Sequence, residues 1–465
     1  MKKFYITTAI DYVNAEPHIG HAYQKIIADV LARWHRLKGE EVFFLTGTDE
    51  HGKKIQESAE KAGKKPKEFV DEMSKKFKEA WKLLNIGYDR FIRTTDKDHE
   101  KIVQEIIEKT NKAGDIYLGK YQGWYCVGCE AYYNEREAPD LKCPIHKKPL
   151  VKMNEESYFF RLSKYQKFLL KLYKESPEFI LPKERKNEII NRVKKGLNDL
   201  SISRTSFNWG IPFPLNKKHI VYVWYDALLN YYSATRQKGK EKYWPANVHV
   251  LGKDNSWFHA VYWPAMLKSV NIKLPKTIFV HGFLTFNGQK ISKSLGNSIS
   301  IKSLVEKYSA DTIRYFVCRQ FAFAEGNDGD FSEQALIQRY NDELANKLGN
   351  LVSRVSGLIE RNGVEKTSNN LIKKINKKEI DKLMESFQVD KALNEIFAFI
   401  DLCNEYVQEK KPWETKDKKI LFELKESILE IARLLKPFIP ESAEKIIKQF
   451  SAKNIKKQEV LFKKI

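Results

Sequence analysis

Two histidines flank a glycine near the N-terminus of this 465-residue chain, at His18, Gly20 and His21. The apolar run 4–10 before them indicates a strand, and the polar–apolar periodicity of residues 21–38 indicates a helix. A strand that leads through a loop into a helix N-terminus forms an anion site, because free backbone N–H groups and the positive end of the helix dipole face one point. The two rings add donors there, and Gly20 lets a base or a phosphate approach the backbone. Taken alone, the residues also fit a helix start with two surface histidines.

A second group of residues suited to a polyanion lies between the glycines of segment 288–296 and includes Lys290, Ser292 and Lys293. The strand-like run 277–280 precedes it. Two lysines three residues apart could reach one polyanion from such a loop, since each ammonium is a compact point charge. A loop of this kind is usually solvated surface, so its interpretation depends on the first group.

Together, in this order, the two groups resemble the HIGH and KMSKS signatures of class I aminoacyl-tRNA synthetases, here residues 18–21 and 290–294. Further segments resemble the methionyl branch, and the resemblance covers nearly the whole chain. It implies ATP-dependent ligation of L-methionine to initiator and elongator methionine tRNA through methionyl-adenylate, with release of AMP and pyrophosphate and with Mg²⁺ bound to ATP. The implied catalytic residues are His18, His21, Lys290 and Lys293. The implied ATP-binding residues are His18, Gly20, His21, Gly252, Asp254, Lys290, Ser292 and Lys293.

The elements around these residues alternate between strand and helix. A buried-type strand ends in Asp49, a short strand is predicted over 90–93, and helices are predicted over 52–61, 67–84 and 98–113. This alternation is typical of a Rossmann-like, doubly wound parallel sheet of the α/β class, which binds ligands at the carboxyl ends of its strands. Asp49 would fall there, either to hold an amino acid's ammonium group or to cap the next helix. The resemblance of segment 47–52 to a family motif favours the first role.

An aromatic-rich segment, 220–231, runs from strand to helix, and by its pattern alone would be core. The resemblance implies instead that its aromatics wall a methionine pocket. A thioether gains attraction from ring edges, and a hydroxyl or ring N–H could hydrogen-bond sulfur. A buried strand is predicted over 248–254 and ends in a glycine and an acid: Gly252 would admit adenine, and Asp254 could accept from ribose hydroxyls. The implied methionine-binding residues are Ala9, Ile10, Tyr12, Asp49, Trp224, Tyr231 and His259.

Four candidate metal ligands, Cys126, Cys129, Cys143 and His146, interrupt the alternation. The C-x2-C and C-x2-H spacings are those of a tetrahedral zinc knuckle, and four protein ligands make such a site structural rather than catalytic. The resembling branch carries a knuckle in its connective insertion, sometimes with four cysteines, so the histidine is a departure that zinc accepts. Short strands are predicted over 157–161 and 199–204 beside the knuckle.

An all-α bundle is predicted beyond residue 342, where the chain is almost wholly amphipathic helix with breaks near Gly363 and at 410–413. A helix is also predicted over 303–315, and residues 311–315 resemble the family segment that joins the catalytic domain to the tRNA stem. The resemblance implies anticodon contacts at Asn350, Arg354 and Trp413. An exposed tryptophan stacks an unpaired base, and asparagine and arginine hydrogen-bond base edges. Trp413 could equally pack against the bundle.

The predicted domain order combines these parts. A Rossmann-like doubly wound parallel sheet would carry a zinc-knuckle connective insertion and be followed by an all-α anticodon-binding bundle. The insertion, about 100 residues, is too short for the hydrolytic editing domain of branched-chain synthetases. The predicted ranges are 1–114 and 215–289 for the two halves of the catalytic domain, 115–214 for the insertion, 290–341 for the lysine loop and stem-contact region, and 342–465 for the anticodon-binding domain.

Composition is consistent with this function without establishing it. The net charge of +22 favours a polyanionic partner such as tRNA, although a lysine-rich composition alone would also produce it. No apolar run approaches the roughly 18 residues of a membrane span, which predicts a soluble, cytoplasmic protein. Five cysteines, an odd number, suit a reducing compartment, with Cys318 and Cys403 predicted in the core. A monomer is expected because no dimerising appendix follows Ile465.

Three other functions fit parts of the pattern. A class I synthetase for another amino acid is disfavoured by the short insertion and by Asp49, Trp224 and Tyr231. A nucleotidyltransferase of the same superfamily would lack the C-terminal bundle. A tRNA-binding scaffold derived from a synthetase, without aminoacylation activity, would be expected to have lost one of the histidines or lysines, and all four are present.

Overall fold

The computed structural model describes residues 2–126, 131–133, 138, 140–144, 147–286, 289–290 and 300–465. In chain order the described strands are β1 (Lys3–Thr8), β2 (Asp11–Tyr12), β3 (Glu41–Asp49), β4 (Arg90–Arg93), β5 (Ile116–Cys126), β6 (Ala131–Tyr133), β7 (Val151–Phe160), β8 (Ile180–Leu181), β9 (Leu200–Ser201), β10 (Ser203–Arg204), β11 (Ile220–Val221), β12 (Val248–Gly252), β13 (Thr277–His281), β14 (Leu284–Phe286), β15 (Gln289–Lys290) and β16 (Gly329–Phe331).

The described α-helices are α1 (Ile19–Leu37), α2 (Lys53–Lys61), α3 (Pro66–Leu83), α4 (Lys97–Lys112), α5 (Gln166–Glu175), α6 (Lys183–Lys194), α7 (Val223–Leu228), α8 (Asn230–Ser233), α9 (Trp263–Ser269), α10 (Ile301–Tyr308), α11 (Ala310–Gln320), α12 (Glu333–Arg339), α13 (Asn350–Asn362), α14 (Lys377–Glu385), α15 (Val389–Lys410), α16 (Pro412–Thr415), α17 (Lys418–Leu435) and α18 (Pro440–Phe450). Segments Phe258–Tyr262 and Tyr340–Gly349 are wound as π-helix. No described helix is both long and apolar enough to cross a bilayer.

The chain divides into two compact units by its internal contacts. The first comprises residues 1–17, 40–79 and 88–280, and the second comprises 18–39, 80–87 and 281–465. Helix α1, with both signature histidines, therefore groups with the C-terminal helices and not with the strand that precedes it. The predicted domain ranges remain predictions.

A parallel sheet organises the first unit. Its strand order is β4-β3-β1-β12-β13-β8, with β2 continuing the β1 position along β3. The chain moves outward from β1 to β4 and returns at β12 on the other side of β1, in parallel register. This reversal of strand order is the topological switch point at which doubly wound sheets bind ligands. The predicted Rossmann-like sheet is confirmed.

The connective insertion contains an antiparallel sheet of order β6-β5-β7-β9. Strand β7 begins at Val151, six residues before the predicted strand 157–161, because residues 151–160 pair continuously with β5. Strands β9 and β10 lie within the predicted strand 199–204.

The second unit is mainly helical. Its long helices α15 and α17 bury apolar faces, and Cys403 on α15 is fully buried, as predicted. Burial raises the pKa of the Cys403 and Cys318 thiols to about 12, so both behave as small apolar core groups. The expected single helix over 303–315 is wrong: Ser309 has φ +74° and separates α10 from α11.

Candidate active site

Asp49 lies at the carboxyl edge of the parallel sheet, as the last residue of β3. Its neighbour across the strand pair is Tyr12 of β2. Gly52, with φ +109°, occupies the N-cap position of α2, so the helix-capping alternative for Asp49 is wrong. Asp49 is 8% exposed, which places a buried carboxylate where this fold binds ligands.

The ends of β1 and β12 continue this edge. The N–H of Ala9, just beyond β1, donates to the carbonyl of Val250 at 3.0 Å. Ala9 is buried, Ile10 is half-buried, and Gly252 is buried at the end of β12. Asp254 lies in the 3₁₀ turn that follows, with its side chain exposed. The shape-determining residues and the predicted ribose acceptor thus lie at the ends of neighbouring strands.

The predicted aromatic walls are brought together in one core cluster of the first unit. Trp224 of α7 stacks on Phe258 with 3.7 Å between ring centroids and 4° between planes. Tyr231 of α8 is fully buried, and its hydroxyl lies 2.7 Å from Nε2 of His259. Five of the seven predicted methionine-binding residues belong to this cluster or pack against it: Ala9, Ile10, Tyr12, Trp224 and Tyr231.

The hydrogen bonds of His259 fix its tautomer. Its Nδ1 lies 2.9 Å from the carbonyl oxygen of Asn255, which can only accept, so Nδ1 carries the proton and Nε2 accepts from Tyr231. Burial lowers the pKa of His259 to about 4, so the ring is neutral. The Nδ1–H of His259 and the hydroxyl of Tyr231 therefore both donate to protein atoms. A thioether in this arrangement would meet ring edges and lone pairs rather than a free N–H.

His249 packs against the ring of Tyr231, with ring centroids 4.3 Å apart. Nε2 of His249 accepts from the Trp263 indole at 3.2 Å, so its Nδ1–H donates to the Thr7 hydroxyl at 2.7 Å. Burial lowers the pKa of His249 well below its ordinary value. Both imidazoles near Tyr231 are therefore neutral and held in one tautomer.

The pocket that the resemblance assigns to methionine should therefore bind it with a constant KM between pH 6 and 8, in the pyrophosphate exchange that the resembling enzymes catalyse. A lowered pKa means that His259 takes up a proton only as pH falls through about 4, far below the ordinary value of about 6.5. Measuring the KM against pH at saturating ATP checks this. A break near pH 6.5, absent from the KM for ATP, would show that His259 titrates normally.

At the N-terminus of α1 the two signature histidines cap the helix reciprocally. Nδ1 of His18 accepts the Gly20 N–H at 3.1 Å, and Nδ1 of His21 accepts the His18 N–H at 3.2 Å. Since both Nδ1 atoms accept, each neutral ring carries its proton on Nε2. The capping box thus uses Nδ1 of each ring, at a helix end that already favours anions.

Helix α1 is anchored within the second unit by a buried ion pair. Asp29 accepts from Arg33 at 2.6 Å, from the Gly87 N–H at 2.8 Å and from Arg314 at 2.7 Å. The Arg314 guanidinium, fully buried, also donates to the carbonyls of Pro437 at 2.7 Å and Phe438 at 3.1 Å. Each hydrogen-bonded partner lowers the large cost of burying these charges.

The lysine loop is only partly described. Lys290 lies on β15, opposite Thr285 of β14 in an antiparallel pair. Ser292 and Lys293 lie outside the described residues. Their predicted phosphate contacts stay predictions.

Half of the predicted zinc ligands are described. Cys126 ends β5, Cys143 follows in the next segment, and both are buried in one small cluster with Ala138 and Leu150. Two buried thiols brought into one cluster suit a soft-ligand zinc site. Cys129 and His146 lie outside the part of the chain that the structure describes.

The three predicted anticodon residues are all exposed in the second unit. Asn350 and Arg354 lie one turn apart on α13, and Trp413 of α16 has 40% of its surface exposed. Helix α16 is flanked by Lys411 and Lys416, both in the left-handed region. This exposure disfavours the core alternative for Trp413 and leaves its ring available for stacking.

Two buried polar networks beside Asp49 were missed by sequence reasoning. The Glu50 carboxylate accepts two bonds from Arg93, at 2.7 and 2.8 Å. Asp226 lies 2.7 Å from both His51 and His99. The motif 47–52 drew attention to this segment, but the partner of His51 lies 175 residues away and no local pattern reveals it.

A parallel sheet with this switch point, a helix opening on two histidines and a helical C-terminal part define a class I aminoacyl-tRNA synthetase. A sequence model of the family described as "tRNA synthetases class I (M)" matches residues 4–149 and 140–356, and one described as "Anticodon-binding domain of tRNA ligase" matches 369–464. The chain belongs to the methionyl-tRNA synthetase family, within that class.

Its relatives cover most of its length. It is 45% identical to the methionine–tRNA ligase of Thermotoga maritima over 97% of this chain and 75% of that protein. It is 44% identical to the Brucella melitensis methionine–tRNA ligase over 98% and 93%. The Mycobacterium tuberculosis methionyl-tRNA synthetase in complex with methionyl-adenylate superposes with a TM-score of 0.92, at 39% identity, over 97% of this chain and 94% of that one.

Proposed function

We propose that this chain ligates L-methionine to methionine tRNA, both initiator and elongator, through a methionyl-adenylate, releasing pyrophosphate and then AMP. The observation that carries the proposal is a buried carboxylate, Asp49, at the ligand-binding edge of a sheet whose neighbouring core presents Trp224, Tyr231 and a neutral His259. Asp49 holds the substrate's ammonium group, and the neutral aromatic pocket favours an uncharged thioether side chain. Ala9, Ile10 and Tyr12 complete the pocket.

In the first step the methionine carboxylate attacks the α-phosphorus of ATP in line, and the bond to the departing pyrophosphate breaks. The Nε2–H groups of His18 and His21 donate to phosphate oxygens as negative charge develops. Lys290 and Lys293 contact the β- and γ-phosphates, with Ser292 beside them. Mg²⁺ bound with ATP supplies further positive charge at the phosphates. Gly20, Gly252 and Asp254 position the nucleotide, so that catalysis rests on alignment and electrostatic stabilisation.

In the second step a ribose hydroxyl of the terminal adenosine attacks the activated carbonyl carbon, and AMP leaves with the electrons of the acyl–phosphate bond. Asn350 and Arg354 hydrogen-bond anticodon bases, and Trp413 stacks on one of them.

Pyrophosphate exchange into ATP with each of the 20 amino acids, without tRNA, tests the first step. Exchange with methionine alone supports the proposal. Exchange with another amino acid would keep the class and overturn the assignment of the pocket. No exchange with any amino acid would favour the tRNA-binding scaffold.

Replacing Trp413 by alanine should reduce aminoacylation of methionine tRNA by about tenfold to a hundredfold, since a stacked base is worth about 1–3 kcal/mol. The pyrophosphate exchange rate should not change, because that reaction needs no anticodon. Measuring both rates on one preparation checks this. An equal loss in both would indicate that Trp413 stabilises the fold instead.

We also propose one structural zinc ion, bound by Cys126, Cys129, Cys143 and His146. The purified chain should contain about one zinc per molecule, and Cys143→Ser should release it without abolishing pyrophosphate exchange. Metal analysis of both proteins decides this, and full zinc content in the variant would contradict the ligand set. We further propose that the chain is a cytoplasmic monomer; sedimentation of the purified protein would test its oligomeric state.

A further inference from the structure

Asp226 is the centre of a fully buried polar network in the first unit. Its Oδ2 lies 2.7 Å from Nδ1 of His51, and its Oδ1 lies 2.7 Å from Nε2 of His99. His99 continues through Nδ1 to the Ser233 hydroxyl at 2.7 Å. Asp226 and His99 are 0% exposed and His51 is 4% exposed. The oxygens of Asp226 and the Nδ1 and Nε2 atoms of His99 are used within the network, so these groups act on one another.

The positions of the three ionisable residues in the chain suggest what this network does. His51 follows Asp49 by two residues, just beyond the end of β3. Asp226 follows Trp224 by two residues on α7, and Ser233 ends α8, the helix of Tyr231. The Asp226 carboxylate therefore connects the segment of Asp49, which would hold the ammonium group, to helices α7 and α8, which carry the aromatic walls of the pocket.

The ionised state of Asp226 determines how it can connect the two histidines. Burial would raise the pKa of Asp226, but the charge and hydrogen bonds of His51 and the bonds of His99 outweigh it and hold the pKa below its ordinary value. An ionised carboxylate accepts at both oxygens, so the two imidazoles donate from two sides. An amide in the same place could accept from only one of them and would turn an N–H group toward the other.

We propose that Asp226, with His51 and His99, is a positioning residue for methionine: it sets the distance between Asp49 and the walls formed by Trp224 and Tyr231. This inference rests on the proposed function of the same pocket. It extends that function by assigning specificity for amino-acid length to residues that do not contact the substrate. Methionine binding should depend on the network, while ATP binding should not.

Asp226→Asn should raise the KM for methionine about tenfold or more in pyrophosphate exchange, because Asp49 and the aromatic walls would no longer be held at the distance that fits methionine. The KM for ATP should stay within about twofold. The preference for methionine over ethionine, whose side chain is one carbon longer, should also fall, since a displaced wall no longer matches the length of methionine.

A matched pair at His51 separates positioning from folding. His51→Asn keeps an N–H donor near the place of Nδ1 and should restore most of the methionine affinity, whereas His51→Leu removes the donor and should behave like Asp226→Asn. Thermal unfolding of all three variants shows whether affinity follows stability. If Asp226→Asn fails to fold, the comparison of His51→Asn with His51→Leu carries the test.

The outcomes are distinct. The proposal is supported if the KM for methionine, but not for ATP, rises in Asp226→Asn and His51→Leu and stays near its wild-type value in His51→Asn. Equal rises in the KM for methionine and for ATP, or an unchanged methionine KM in the folded variants, would overturn it. If the wild-type protein shows no pyrophosphate exchange with any amino acid, the proposed function itself is refuted, whatever the variants do.

Discussion

Replacing His21 by alanine should lower kcat for methionine-dependent pyrophosphate exchange by about 10²–10³, the cost of removing one donor from developing phosphate charge. The structure gives this ring two tasks. Its Nδ1 accepts the His18 N–H at 3.2 Å, which places the ring proton on Nε2, the donor proposed for phosphate. Alanine removes both, so a small loss of helix stability accompanies the loss of rate. Single-turnover formation of the adenylate measures the loss of rate, and thermal unfolding measures the loss of stability.

Glutamine is the informative control at this position. In a capping box it accepts the N-cap N–H and also has N–H groups to donate, so His21→Gln should retain helix stability and recover part of the rate. Lys290→Ala and Lys293→Ala should slow adenylate formation in the same way with little change in methionine affinity. A defect confined to methionine affinity in any of these variants would remove them from the phosphate-binding set.

Asp49→Asn should weaken methionine binding by about 10²–10³, because a cation left opposite a buried neutral amide loses a contact worth about 3–5 kcal/mol. Asp49 is buried at the end of β3, where little water could replace the lost charge. The KM for methionine should rise while the KM for ATP stays near its wild-type value. Steady-state pyrophosphate exchange, with each substrate varied in turn, measures both.

Asp254→Asn is the matched control for that experiment. This carboxylate is exposed in the turn after β12 and is proposed to accept from ribose hydroxyls. Asp254→Asn should raise the KM for ATP, and the KM for methionine should stay unchanged. Equal effects of Asp49→Asn on both substrates would show that Asp49 stabilises the sheet edge rather than the ammonium group.

Much of the fold follows from local sequence pattern. Strands β1, β3, β4 and β12 and helices α1 to α4 lie within a few residues of their predicted bounds, because apolar runs and helical periodicity persist over each of them. Local pattern failed where one residue's backbone decided the outcome. Ser309, at φ +74°, breaks a helix that its neighbours would continue.

The site was predictable only where its residues form motifs. Asp49, His18 and His21 stand in short signatures, and the structure places each at a strand or helix end. The network of His51, Asp226 and His99 could not be found this way, because the three positions come from separate segments and meet only when α4, α7 and the β3 terminus pack together. The grouping of α1 with the C-terminal helices was equally invisible, since it depends on long-range contacts.

That grouping bears on how far such an enzyme could be shortened. The family-level boundary at residue 369 suggests a C-terminal module that could be deleted to leave a smaller catalyst. Ending the chain before Pro437 would remove two carbonyl acceptors from the buried Arg314, whose carboxylate partner is Asp29 in the middle of α1. The loss of these hydrogen bonds would destabilise helix α1, at whose N-terminus His18 and His21 lie. We therefore expect shortened chains of this family to carry an apolar pair in place of Asp29 and Arg314.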